Sequence, residues 1–149
     1  PRSMKKYKKM PSVGSVMTPF PFFADAADPV AKVERLMRRH KIRHVPVQRN
    51  GEVVGIVSER DLQHWSSHSP AADKSLVLAA AVMVPDPYVV AFDTPLSEVA
   101  AEMNRRRIGS ALVARQGKLA GILSVMDICR ILASLLDAEF PVKNGNDAA

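Results

Sequence analysis

One offset governs this chain. The stretch Gly51-Glu52-Val53-Val54-Gly55-Ile56-Val57-Ser58-Glu59-Arg60-Asp61-Leu62 returns 66 residues later as Gly117-Lys118-Leu119-Ala120-Gly121-Ile122-Leu123-Ser124-Val125-Met126-Asp127-Ile128. Each copy is a turn glycine, an apolar run centred on Gly-Ile, and Ser-x-x-Asp opening a helix. Aligned from Val16 to Leu62 at this offset, 16 of 47 positions are identical without a gap, among them Met17/Met83, Pro29/Pro95, Val33/Val99, Met37/Met103 and Ile42/Ile108. Two copies of one supersecondary unit follow. At about 50 residues neither buries enough apolar surface alone, so the pair must close a core together.

The local signals give each unit the order β-α-β-β-α. Val13, Val16 and Met17 make a short apolar turn, and Phe20 to Phe23 read as extended. Asp28-Pro29 predicts a helix start, with the acid as cap and the proline in the first helical position. Val30, Val33, Leu36 and Met37 follow at helical spacing. Val45-Pro46-Val47 is a short strand, Asn50-Gly51 a hairpin turn, and Val53 to Val57 a strand buried on both faces. A helix begins near Asp61. The second unit repeats this through Val82-Met83, Val89 to Phe92, Thr94-Pro95, the strands Ala111 to Val113 and Leu119 to Leu123, and a longer amphipathic helix carrying Ile128, Ile131, Leu132, Leu135 and Leu136. The expected organisation is a basic mobile tail (1–10), a first repeat (11–65), a linker (66–75), a second repeat (76–140) and a disordered tail (141–149). The fold class is mixed α/β (α+β), two units related by a pseudo-twofold axis.

Charge and cysteine usage narrow the function. The net charge is +6, gathered at Lys5, Lys6, Lys8 and Lys9, from Arg38 to His44, and at Arg105 to Arg107. Such a balance suits phosphate-bearing partners. The single cysteine, Cys129, excludes an intramolecular disulfide and fits a reducing compartment. The longest apolar run, Leu76 to Val84, is about half of what a spanning helix needs, so a soluble cytoplasmic protein is expected, with no membrane partner. No nucleophile stands with a paired base, and His64 and His68 lack further metal ligands. Neither a catalytic nor a metal site is expected.

Val16-Met17-Thr18, Pro29, Ile42-Arg43-His44-Val45-Pro46-Val47, and Gly51 with Gly55-Ile56-Val57-Ser58-Glu59-Arg60-Asp61 closely resemble a cystathionine-β-synthase (CBS) domain. Val82-Met83, Pro95, Ile108 to Val113 and Gly117 to Asp127 resemble a second. The pair resembles a Bateman module, over about Pro11 to Leu136. This resemblance implies an adenosine-containing ligand such as AMP, ADP, ATP or NAD, held between the repeats. It implies a homodimer and control of another protein, not chemistry. Gln48 and Ala114 stand where the family often has Asp, and Leu112 where the first copy has Pro46, so the two clefts are not equivalent.

Ser-x-x-Asp has two readings. It is a capping box, or its helix N-terminus, hydroxyl and carboxylate receive a phosphate and a ribose diol. The resemblance favours ribose contact by Asp61 and Asp127, with Ser58 and Ser124 serving both roles. Arg43 and His44 fall where the resemblance implies phosphate contacts, and Arg60, inside the Ser-x-x-Asp segment, is placed to do the same. Gly109, between Ile108 and Ser110, lets a ligand approach the backbone or is a plain tight connection. Ile42, Val16 and Val82 are candidates to face adenine, otherwise core residues. In the geometry the resemblance implies, one cleft groups Asp61, Ser58, Arg60, Arg43 and His44 with Ile108, Gly109 and Ser110. The other groups Asp127, Ser124, Met126, Gly109 and Ser110, with no cation. The alternatives are a structural dimerisation module with empty clefts, or a basic nucleic-acid-binding protein.

Overall fold

A computed structural model describes residues 7–19 and 22–142. The elements run α1 (Val13–Val16), β1 (Thr18–Pro19), β2 (Ala24–Asp25), α2 (Val30–His40), β3 (His44–Arg49), β4 (Glu52–Ser58) and α3 (Glu59–His68). They continue with α4 (Ala79–Val82), β5 (Val84–Pro85), β6 (Val89–Ala91), α5 (Leu96–Arg106), β7 (Ser110–Arg115), β8 (Lys118–Ser124) and α6 (Val125–Glu139). The basic tail up to residue 6, Phe20 and Pro21 of the extended piece, and the tail from residue 143 lie outside the described residues. Among the described residues no helix is long and apolar enough to cross a membrane.

The two sheets have matching orders, β2-β3-β4-β5 and β6-β7-β8-β1. In each, a short parallel pair leads into an antiparallel hairpin. The hairpins turn through Asn50-Gly51 and Gln116-Gly117, whose φ values of 53°, 80°, 53° and 76° are those of a primed turn. The edge strand of each sheet comes from the other repeat. β1 pairs antiparallel with β8, and β5 with β4. The repeats have therefore exchanged their leading segments, which the 66-residue offset does not disclose.

This exchange explains the Gly-Ile signature. A Cβ on Gly55 would lie 2.5 Å from Met83 Sδ, and one on Gly121 2.3 Å from Met17 Sδ. The repeated Val-Met thus packs its sulfur onto the glycine of the opposite repeat, where any side chain would collide. Two cores result. Val30, Val33, Val45, Val47, Val57 and Leu62 bury with Ala79 of the exchanged α4. Val99, Ala111, Val113, Leu123 and Ile131 bury with Val13 and Val16 of α1. Val13 has no exposed surface, and a side chain of that kind stabilises by about 1.5–3 kcal/mol.

The structure corrects two local readings. Pro29, not Asp28, is the N-cap of α2, and no side chain caps it. Asp28 instead accepts from the Asp25 amide at 2.8 Å. The helix's free amides are met by the exchanged segment, where Val77 and Lys74 carbonyls accept from Val30 and Ala31 at 2.8 and 2.9 Å. The Pro11 carbonyl accepts from Leu96 of α5 at 2.9 Å. Likewise β4 is not buried on both faces. Gly55 and Val57 are buried, while Val54 and Ile56 are only half-buried, because Ile56 faces the opening between the repeats.

Candidate functional site

The Ser-x-x-Asp segments fold as capping boxes. Ser58 Oγ accepts from the Asp61 amide at 3.0 Å, and Asp61 Oδ2 accepts from the Ser58 amide at 2.8 Å. Ser124 and Asp127 make the same pair at 3.2 and 2.9 Å. Capping fixes the carboxylate at the first turn of the helix, and it uses one oxygen of Asp61. Among the described residues no further hydrogen bond reaches that carboxylate.

Asp61 opens onto a cavity of about 880 Å³ between the repeats. From the first repeat Arg43, His44, Ser58 and Arg60 line it, and from the second Ile108, Gly109 and Ser110. The sequence reading grouped these eight residues. It missed Asp86, Tyr88, Arg106 and Arg107, which complete the opposite wall. Their signal was only a run of arginines closing a helix. Arg106 lies over the Tyr88 ring, 4.5 Å from its centre, and its Nε donates to Glu102 at 2.7 Å. Arg107 caps α5 with φ 55°, a left-handed conformation that costs a side-chain-bearing residue about 1–2 kcal/mol. It makes no ion pair among the described residues. Four guanidinium groups and an imidazole thus surround a cavity whose carboxylates are Asp61, Glu59 and Asp86.

His44 couples the two repeats. A Cβ on Gly109 would sit 3.0 Å from His44 Nε2, so the space beside this glycine is taken by the imidazole. Burial holds the His44 pKa below its ordinary value; Asp61 pulls it up and Arg43 pushes it further down. The neighbouring Arg43 guanidinium reaches Glu59 at 3.6 Å, with both side chains more than half exposed.

Five of the expected site residues lie elsewhere. Val16 is 8% exposed in the second core. Val82 packs against the first core and lines a smaller cavity of about 420 Å³ with Asp61, His64 and Trp65. Ile42 also packs on the first core and lines a separate groove. Ser124 and Asp127 stand at the start of α6, where the expectation of no cation is corrected. Arg130 Nη2 approaches Asp127 Oδ1 at 3.4 Å and donates to the Val16 carbonyl at 3.3 Å. Thr18 Oγ1 donates to the same Oδ1 at 3.3 Å. One turn of helix brings Arg130 there, and the exchanged β1 brings Thr18. Among the described residues no group of His, Cys, Asp and Glu could hold a metal ion.

Paired sheets with exchanged edges around a basic cleft define a tandem-repeat module. The chain belongs to the CBS domain family, which matches residues 13–68 and again 79–134. It is 29% identical over 125 residues to the inosine-5'-monophosphate dehydrogenase of Staphylococcus epidermidis, covering 81% of this chain but only 23% of that enzyme. Among solved structures, one described as an acetoin utilization protein from Vibrio cholerae is similar at a TM-score of 0.75 and 29% identity, covering 91% of this chain and 100% of that one. A CBS domain pair in complex with 5'-methylthioadenosine and S-adenosyl-L-methionine gives 0.73 at 21% identity, covering 84% and 98%. The CBS domain of a bacterial CNNM/CorC family Mg²⁺ transporter in complex with ATP gives 0.70 at 23%, covering 84% and 87%.

Proposed function

We propose that this chain is a regulatory module that binds an adenine nucleotide in the cleft built on Asp61, and that it prefers a di- or triphosphate. The supporting observation is the cleft's lining, in which Arg43, Arg60, Arg106 and Arg107 outnumber the carboxylates Asp61, Glu59 and Asp86. A ribose diol is a bidentate donor for the Asp61 oxygen that capping leaves free. Phosphates take the guanidinium groups, whose charge-assisted bonds are roughly twice as strong as neutral ones. The relatives bound to adenosine compounds support the ligand class. No catalytic role is proposed.

The regulatory unit is a homodimer in this reading. Leu132, Leu135 and Leu136 of α6 and Phe140, which caps its C-terminus, are 51%, 40%, 48% and 70% exposed, a contiguous apolar face larger than isolated surface leucines make. The regulated protein is a separate chain or a further part of the same one. Calorimetry with ATP, ADP and AMP tests the ligand, with ATP and ADP expected to bind more tightly than AMP. Absence of heat for all three, together with unchanged melting temperature at saturating nucleotide, leaves a structural dimerisation module. Sedimentation tests the dimer, and a monomer at tens of micromolar is the result against it.

A further inference from the structure

The nucleotide cleft has a neighbour. Between α2 and α3 lies a second cavity of about 900 Å³. Met37 and Leu62, buried at 7% and 4% exposure, form its apolar floor with Ile42. Arg38, Lys41, Arg43 and Lys74 stand around it against Glu34 and Glu59. Lys74 is held by Glu34 at 2.8 Å, and Arg43 is loosely paired with Glu59. Arg38 and Lys41 have no ion-pair partner among the described residues. The groove therefore carries an uncompensated positive charge above an apolar floor.

The internal repeat supplies a control. At the 66-residue offset, Arg38 becomes Asn104, Arg43 becomes Gly109, Glu59 becomes Val125 and Lys74 becomes Phe140. The same fold in the second repeat needs none of these charges, so helix packing does not require them. Those four belong to the first repeat alone, whereas Lys41 has a cationic counterpart in Arg107. Arg43, Glu59 and Gln63 line both this groove and the Asp61 cleft, so the two cavities share one wall. That wall is held by a pair 3.6 Å long with side chains 74% and 51% exposed. Such a pair is weak and exchanges partners readily.

We propose that this groove is a second binding site, one that takes an acidic peptide segment of a partner protein. Carboxylates engage Arg38 and Lys41, and an apolar side chain rests on Met37, Ile42 and Leu62. The shared wall makes the site responsive. A nucleotide phosphate that draws Arg43 toward the cleft removes one cation from the groove, so the nucleotide weakens the peptide. This last step rests on the nucleotide reading above.

The probe is a short fluorescent peptide of glutamate and leucine, followed by anisotropy, beside the same peptide with glutamine for glutamate. The glutamate peptide is expected to bind and the glutamine peptide not. Arg38→Ala and Lys41→Ala, both exposed positions, are each expected to weaken it about threefold, while Asn104→Ala changes nothing. No binding to the unaltered protein, equal binding of both peptides, or indifference to both variants overturns the site. Added ATP, at a concentration that calorimetry shows to saturate each protein, is expected to weaken the peptide in the unaltered protein and not in Arg43→Ala. If calorimetry detects ATP and the peptide is insensitive to it, the coupling is wrong. If calorimetry detects no ATP, the nucleotide reading fails and the coupling with it, and the peptide measurements still decide the groove.

Discussion

Asp61 and Asp127 occupy equivalent places, close equivalent capping boxes and differ in what surrounds them. Asp61 keeps an oxygen outside its cap and shares a large cleft with four arginines. Asp127 has its second oxygen held by Thr18 and approached by Arg130, which also ties down the Val16 carbonyl. At the 66-residue offset these two partners are Val84 and His64. Two substitutions thus separate an open carboxylate from an engaged one. Repetition copies a fold, and single side chains at its edges decide which copy's carboxylate keeps an oxygen without a partner.

The largest effect expected from this contrast is on affinity. Asp61→Ala should weaken ATP at least about tenfold, the value of a charge-assisted hydrogen bond, while Asp127→Ala leaves it within about twofold. Both variants lose a capping acid, which costs about 0.5–2 kcal/mol of stability, so each controls for folding in the other. Calorimetry showing the reverse pattern means the open and engaged clefts are assigned the wrong way round.

The exchanged edges offer a comparison in stability. Gly55→Ala and Gly121→Ala drive a methyl into Met83 and Met17 and close on the Val84 and Thr18 carbonyls, at 2.9 and 2.6 Å. Each should cost about 1–3 kcal/mol by overpacking, with Gly121→Ala the more severe because its backbone contact is shorter. Chemical denaturation measures both, and a cost near zero at either site would mean that the exchanged strand yields easily there.

Arg130→Ala should leave only the exposed Thr18 hydroxyl on Asp127 Oδ1, which a ribose diol can displace, and add a second, weaker binding event for AMP, visible as a change in calorimetric stoichiometry. Its cost in stability is expected within about 1 kcal/mol, since the guanidinium is 54% exposed. An unchanged stoichiometry would mean that Arg130 does not govern this cleft.

The smallest effect concerns pH. His44 takes up its proton at lower pH in the folded protein than its unperturbed value of about 6.5. The unfolded chain binds that proton first, so the stability held by neutral His44 is full above about pH 6.5 and is lost as pH falls from there toward the folded value. Triphosphate affinity runs the other way, rising as pH falls, and because of burial the rise comes below 6.5 and not at it. Thermal melts and calorimetry across this range should show opposite slopes. His44→Gln should flatten both, and slopes that persist in this variant would assign them to another group.

The sequence alone determined everything that is settled within a few residues. Ser58 and Asp61 cap one helix because serine and a carboxylate three positions on can meet only there. Asn50-Gly51 makes a hairpin because its backbone tolerates positive φ, and Val30, Val33 and Met37 face a core because helical spacing puts them on one side. The resemblance to the CBS family, not the offset, grouped Arg43, His44, Ser58 and Asp61 with Ile108 to Ser110. The tertiary structure decided where the leading segments go. Val-Met packs on a glycine of the other repeat, and nothing in local periodicity says which repeat offers that glycine. The same exchange brings Thr18 to Asp127 across 109 residues and adds Asp86 and Tyr88 to the cleft of Asp61. Asp28 and Thr94, which read as caps, are relieved of that task because the exchanged segments deliver carbonyls to the helix amides. Contacts between chain segments this far apart follow from which apolar surfaces must be covered to close both cores, and that is a property of the whole fold.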